Sequence, residues 1–269
     1  VLIVIGLYAF FLGDQLIKSV ENFDESRTNE IKFLVNSWLI AGILSVTSIS
    51  TTLGAFGVIV DDKVKKIDKD FRCSPISRSS IAGGYILNSF LIGVIMSVIA
   101  FAAGEVFIVA SGGELLPFES ILKVLGMILL TVLSASSMMF FVVSFFNSTN
   151  AYATASTIIG TLIGFITGMY LPVGSMPEGV ATVVKLFPIS HAASIFRKIF
   201  MDVPFEQTFE GVPKEAADTA VNTLRQDLGV DFTIGSWDVS ILDSILILVA
   251  SAILFYILGI IVISRKRRV

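Results

Sequence analysis

The sequence is poor in the side chains that do chemistry. Its 269 residues include one cysteine and one histidine, and only 15% are charged. With Cys73 alone, an internal disulfide is excluded. Cys73 and His191 cannot by themselves assemble a His/Cys metal site in a single chain. No Walker-type phosphate loop, GxGxxG or HExxH stretch occurs, so neither a nucleotide nor a catalytic zinc is expected on this chain. The aspartates, serines and threonines of the apolar stretches form no recognisable catalytic set. What is abundant is apolar: 54% of residues are hydrophobic and the mean hydropathy is +0.86. Soluble domains are about 25% charged, so most of this chain must sit in lipid.

Charge gathers in the stretch Asp61–Arg78, DDKVKKIDKDFRCSPISR. The runs on either side, Phe33–Val60 and Ser79–Ala110, each exceed the roughly 20 apolar residues that cross a bilayer as a helix. Lys63, Lys65, Lys66, Lys69, Arg72 and Arg78 outnumber Asp61, Asp62, Asp68 and Asp70. Basic residues in short loops mark the cytoplasmic side, and acids hardly count in that rule. Val64, Ile67 and Phe71 fall at i, i+3 and i+7, one apolar stripe. Asp61 can cap its start and Pro75 stops it at about Ser74, so a one-sided helix is predicted over about 62–73. Such a helix can lie on lipid headgroups or dock on another protein, and the pattern does not choose between them. Cys73 lies in this loop, where a reduced thiol is expected.

Taken in order, the chain reads as one all-α polytopic membrane domain over 1–269, with six spans at about 1–17, 33–60, 79–110, 120–146, 151–173 and 242–264. The first is short and lacks the basic flank of a signal peptide, which suggests a span that begins before Val1. The second span is rich in hydroxyls, including Thr47 and Thr51. These either bond back to the i−4 carbonyl, the simpler reading, or line a polar path. Glu105 is the single acid in the third span, a candidate pathway residue by default, although it lies near enough to the span's end to reach the interface. Asn147–Asn150 is a polar turn between spans four and five. Gly160, Gly164 and Gly168 repeat at four-residue spacing, a close-packing face usable within one subunit or between two.

From Pro172 to Phe200 the chain is apolar but broken. Ser175 and Glu178 read as a capping box with Pro177 in the first turn. Pro188 then divides two helices, each too short to span, and they are expected as a partly re-entrant pair at the outer face. Re-entrant helices and loop together cover 174–239. His191 reads as structural or interfacial rather than as a proton relay. Pro213–Leu228 reads as a small amphipathic helix stopped by Gly229. The last span ends in Arg265, Lys266, Arg267 and Arg268, which with the Asp61–Arg78 loop hold ten of the 19 basic residues. Both termini are therefore expected inside, with the acidic loops outside.

The order of these parts resembles the permease subunit of ABC transporters of the ABC-2, or type-2 exporter, family. The resemblance rests on KKIDKDFRCSPISRSSIAGGYI, with its turn Ser74, Pro75, Ile76, Ser77 and Arg78, and on LPVGSMPEGVATVVKLFPISHAASIFRKIF. Phe187-Pro188 stands where the family often has Asn-Pro, and an amphipathic helix before the first span is not seen. The resemblance implies that the loop between spans two and three is a coupling helix. Val64, Lys66, Ile67, Phe71, Pro75 and Arg78 would then meet a separate ABC ATPase subunit that binds ATP and Mg. It further implies a second permease copy or a homologous permease as dimer partner. The implied activity is outward movement of amphipathic drugs, peptides or lipids, as in multidrug resistance, across a bacterial plasma membrane. No cofactor is implied on this chain, and no nucleic acid partner. The alternatives are an ion-coupled secondary transporter, against which stand the scarce intramembrane acids and the lack of inverted repeats, and a non-transporting membrane assembly or sensor subunit.

Overall fold

The structure, a computed structural model, describes residues 28–67, 73 and 75–265. The expected span over 1–17, Phe71, the side chain of Arg78 and the Lys266–Arg268 run lie outside the described part. Helix α1 (Thr28–Ala55) leads through a turn at Phe56 into α2 (Gly57–Val64). There follow α3 (Arg78–Ala110), α4 (Phe118–Val143), α5 (Thr149–Ile166), a 3-10 turn (Val173–Ser175), α6 (Glu178–Leu186) and α7 (Pro188–Phe200). Then come α8 (Asp202–Thr208), α9 (Lys214–Asp227), a two-residue hairpin of β1 (Thr233–Ile234) and β2 (Trp237–Asp238), and α10 (Ile241–Arg265). Among the described residues, four helical stretches are long and apolar enough to cross a bilayer, Asn29–Val64, Ser79–Ala110, Phe118–Val143 and Ile241–Val262, and a fifth is added if the bent pair Glu178–Leu186 and Pro188–Phe200 counts as one span.

Local chemistry sets these boundaries. Ser77 caps α3, its hydroxyl accepting from the Ser80 amide at 3.1 Å. At α10 a reciprocal box forms: Ser240 Oγ accepts from the Asp243 amide, and Asp243 Oδ2 from the Ser240 amide. This satisfies two of the donors that a helix start leaves open. The box predicted at Ser175 and Glu178 does not form. Ser175 closes the 3-10 turn instead, its amide bonding Pro172 O at 3.0 Å. Met176 is extended, as a residue before proline prefers, so the helix starts only after Pro177.

Two further expectations shift. The helix predicted over 62–73 is not continuous, because residues up to Val64 extend the preceding span. Lys66 then turns left-handed, with φ at 62°, which no L-residue sustains within a right-handed helix. The fifth stretch, predicted over 151–173, ends as a helix at Ile166. At 18 residues it is roughly 27 Å long. Gly168 is therefore not on a helical face shared with Gly160 and Gly164. It occupies the left-handed position after the helix, at φ 65°. The Gly168 amide bonds Phe165 O at 3.0 Å and the Met169 amide bonds Gly164 O at 2.8 Å, the paired bonds of a Schellman cap.

Helix α1 lies at the centre, packed on α3, α4 and α7, with α10 against α4 and α7. Hydroxyls join these helices where hydrocarbon offers no other partner. Ser48 meets Ser97 at 3.4 Å, Ser89 bonds Thr52 O at 3.3 Å and Ser136 at 3.5 Å, and Ser134 meets Ser251 at 2.7 Å. Leu87, Leu91, Ile95 and Ile99 of α3 and Leu242, Leu246, Ile253 and Ile257 of α10 are exposed. Those are lipid-type faces. The predicted break at Pro188 is where the chain turns through 87° between α6 and α7, with Pro188 at the first position of α7, where its missing N–H is not needed.

Glycines with and without a conformational duty separate experimentally. Gly229 sits at φ 68°, and an added Cβ would meet Val173 Cγ2 at 2.9 Å and Arg197 Nη1 at 3.0 Å. Gly229→Ala is expected to cost on the order of 2 kcal/mol through backbone strain and crowding. Gly160→Ala, whose Cβ would meet nothing within 4 Å, should be neutral or slightly stabilising. Reversible unfolding in mixed micelles checks both.

Candidate functional site

The bundle has two polar ends. At the end formed by α2, Lys63 Nζ donates to Ser144 O at 3.4 Å and Phe146 O at 3.2 Å, the carbonyls just past α4. The neighbouring Asp62 accepts from Tyr85 Oη of α3 at 2.5 Å. Tyr152 of α5 hydrogen-bonds Leu53 O, and its ring lies beside Gly57. Phe56 packs on Phe140, ring centroids 6.0 Å apart. Beyond this tie the chain is open: Val64 and Ile67 are 47% and 39% exposed, and Lys66 and Pro75 are exposed too. Val64, Lys66, Ile67 and Pro75 are thus each exposed on the chain between α2 and α3.

Within the bundle, Thr51 Oγ1 bonds Thr47 O at 2.7 Å, the local back-bond, and Thr47 is buried. Glu105 is buried at 6% exposure. Its Oε2 accepts from the Leu116 amide at 3.0 Å, fastening the turn after α3, while Oε1 has no partner among the described residues.

At the opposite end, the residue that organises the site is one that sequence reasoning passed over. Arg197 of α7 is fully buried. Its Nη2 donates to Thr167 O at 3.0 Å and Gly168 O at 2.8 Å, and Nη1 to Gly229 O at 3.4 Å. The guanidinium also lies 5.2 Å from the Trp38 ring, within reach of a cation–π attraction. Gly229, like Gly168, follows a helix in a Schellman cap: the Val230 amide bonds Arg225 O at 2.8 Å and the Gly229 amide bonds Gln226 O at 3.1 Å. Two helix C-termini, each carrying partial negative charge, thus converge on one cation. Such charge-assisted bonds offset the cost of burying it.

The segment after α9 is then pinned almost residue by residue. Trp38 Nε1 donates to Leu228 O at 2.8 Å and Ser194 Oγ to Val230 O at 2.6 Å. Lys198 and Arg225 both pair with Asp231, at 2.9 and 2.6 Å. His191 stacks edge-on against Phe232, with Nδ1 3.2 Å from Ser244 Oγ. Lys185 Nζ donates to Thr233 O at 3.1 Å. Ser175, Pro177, Glu178 and Pro188 lie at the 3-10 turn and at the starts of α6 and α7, and Gly174 lets the 3-10 turn sit against Asp227, where a Cβ would lie 2.3 Å from Oδ1. A basic pair, Arg197 and Lys198, in an otherwise apolar run was the available signal for Arg197.

The family described as ABC-2 family transporter protein matches residues 14–261. The chain belongs to the ABC-2 transporter family. A comparison with curated proteins finds no match. As an ABC-type permease it is the membrane-spanning component of a transporter, in keeping with helices that expose leucine and isoleucine to lipid.

Burial pushes the Asp231 carboxyl up, but hydrogen bonds and charge from Arg225 and Lys198 more than offset this and hold it below the usual carboxylate range. A lowered folded value means that stability is fully present above the unfolded pKa and is lost as pH falls through the folded one. Asp231→Asn should therefore lower the melting temperature of the permease at neutral pH and flatten its decline on acidification. Thermal unfolding followed across the acid range measures this.

Proposed function

We propose that this permease is the membrane subunit of an ATP-driven exporter that docks on a separate ATPase through the loop Asp61–Arg78. The observation that carries the reading is the exposure of Val64 and Ile67, two apolar side chains at and just past the end of a helix whose other residues bond α3 and the carbonyls just past α4 and pack on α5. Apolar groups held out on a basic loop favour burial against a partner. Lys66, Phe71, Pro75 and Arg78 complete the proposed contact. ATP and Mg belong to the partner, whose closing supplies the work.

The basic loop then faces the cytoplasm, and the assembly around Arg197 faces outward. The exposed face of α5 carries Thr154, Thr157, Ile158, Thr161 and Leu162, with each threonine hydroxyl bonded to the i−4 carbonyl. Unlike the leucine and isoleucine faces of α3 and α10, it is narrow and partly polar. It suits a second permease copy, and between two such faces an amphipathic drug, peptide or lipid would pass outward.

Ile67→Asp places a carboxylate where docking would desolvate it. Co-purification of the ATPase that accompanies the wild-type permease should fall by about tenfold or more, equivalent to roughly 1.4 kcal/mol, with the spans still folded. Unchanged co-purification contradicts the docking surface.

A further inference from the structure

Among the described residues Glu105 is the one acid that is buried. Its Oε2 is held by the Leu116 amide at 3.0 Å, but Oε1 has no partner among those residues. A carboxylate taken from water and only half paired is costly. Leu116 also lines a crevice that runs between α1, α3, the turn after α3 and the start of α8, with Ile108, Phe200 and Val203 as apolar walls. Ile108 stands about one turn past Glu105 on the same face of α3. From α1 the crevice is lined by Ser37, which is fully buried and whose hydroxyl also has no partner among the described residues. Glu114 lines it too and is exposed, a second acid on the open side. No basic residue among those described lines it.

The crevice has a volume of about 10 Å³, room for one water-sized occupant. A water there would meet the unpaired oxygens but leave the carboxylate charge uncompensated between apolar walls, whereas a cation of that size answers both needs. The donors decide its class. Among the described residues no three His, Cys, Asp or Glu side chains gather in one place, which is too few for a transition metal or a tightly held divalent ion. What the crevice offers is hard oxygen: one buried carboxylate, one hydroxyl, and the carbonyls of Glu114 and Leu115, which accept no backbone hydrogen bond among the described residues. We propose that this crevice binds one alkali-metal cation, sodium or potassium, between the Glu105 carboxylate and the Ser37 hydroxyl. One carboxylate balances one positive charge. The ion would fasten α1 to α3 and to the turn that Glu105 already holds through Leu116. This role is independent of the docking reading, since it needs no second protein.

The test follows thermal unfolding of the full-chain permease in detergent micelles, in sodium, potassium or choline chloride at one ionic strength. Choline is too large for the crevice, so it controls for general salt effects. Sodium, potassium or both should raise the melting temperature saturably, by about 3 °C or more at saturation, as expected of a ligand that binds only the folded state. The salt that gives the lower half-saturating concentration names the ion. Glu105→Gln keeps an oxygen for the Leu116 amide but removes the charge. It should melt in choline at or above the parent's temperature and lose the response to sodium and potassium. Ser37→Ala removes one ligand and should raise the half-saturating concentration at least about fivefold. Equal melting of the parent in all three salts overturns the proposal and leaves the crevice to water, as does a full cation response in Glu105→Gln. Should Glu105→Gln fail to fold, Ser37→Ala decides, and an unchanged half-saturating concentration there overturns the proposal.

Discussion

A single buried cation holds one end of this protein together. Arg197 is fully buried, so its donors call for protein oxygens. The chain meets those of Nη1 and Nη2 with carbonyls freed where helices stop, at Thr167 and Gly168 after α5 and at Gly229 after α9, while Nε has no partner among the described residues. Glycine is required at both stops, because the left-handed turn that ends the helix also brings the backbone up against the guanidinium. Everything that follows α9 as far as β1 depends on that convergence. The pinned segment Leu228–Thr233 is bonded by α7 at Gly229, Val230 and Asp231, by Lys185 of α6 at Thr233 and by Trp38 of α1 at Leu228, so α7, the α5 terminus and the segment form one unit against Trp38.

The other end is built on the opposite principle. There the side chains of α2 reach to α3 and to the carbonyls just past α4, while Val64 and Ile67 stay exposed. Between the two ends, serine and threonine hydroxyls join α1, α3, α4 and α10 across the interior. Hydroxyl pairs in a membrane are worth well under 2 kcal/mol each, enough to fix helix register while leaving helices able to shift.

Much of this fold was legible in the residues. Long charge-free runs identified α1, α3, α4 and α10, Pro188 located the break between α6 and α7, and Gly229 located the end of α9. The failures share a cause: each depends on partners distant in sequence or on backbone conformations that side-chain identity does not announce. Lys66 adopts a positive φ without being glycine or asparagine, so the stripe Val64, Ile67 and Phe71 read as one helix. The spacing of Gly160, Gly164 and Gly168 suggested a helical face, whereas Gly168 ends the helix and Gly164 is packed on Tyr170. Ser175 and Glu178 matched a capping box, but Pro177 fixed a later start. Arg197 was hidden because its partners are carbonyls, which carry no sequence signature, roughly 30 residues away on either side. Its neighbour Lys198 points elsewhere, to Asp231.

Amide hydrogen exchange over residues 228–233, compared between the wild type and Arg197→Met in the same micelles, tests the central role of Arg197 most directly. If the guanidinium holds the two helix ends together, exchange in that segment and around Gly168–Tyr170 should accelerate together by at least about tenfold, while the core of α4 keeps its protection. Unchanged exchange in both segments would show that the end of the bundle holds without its buried cation.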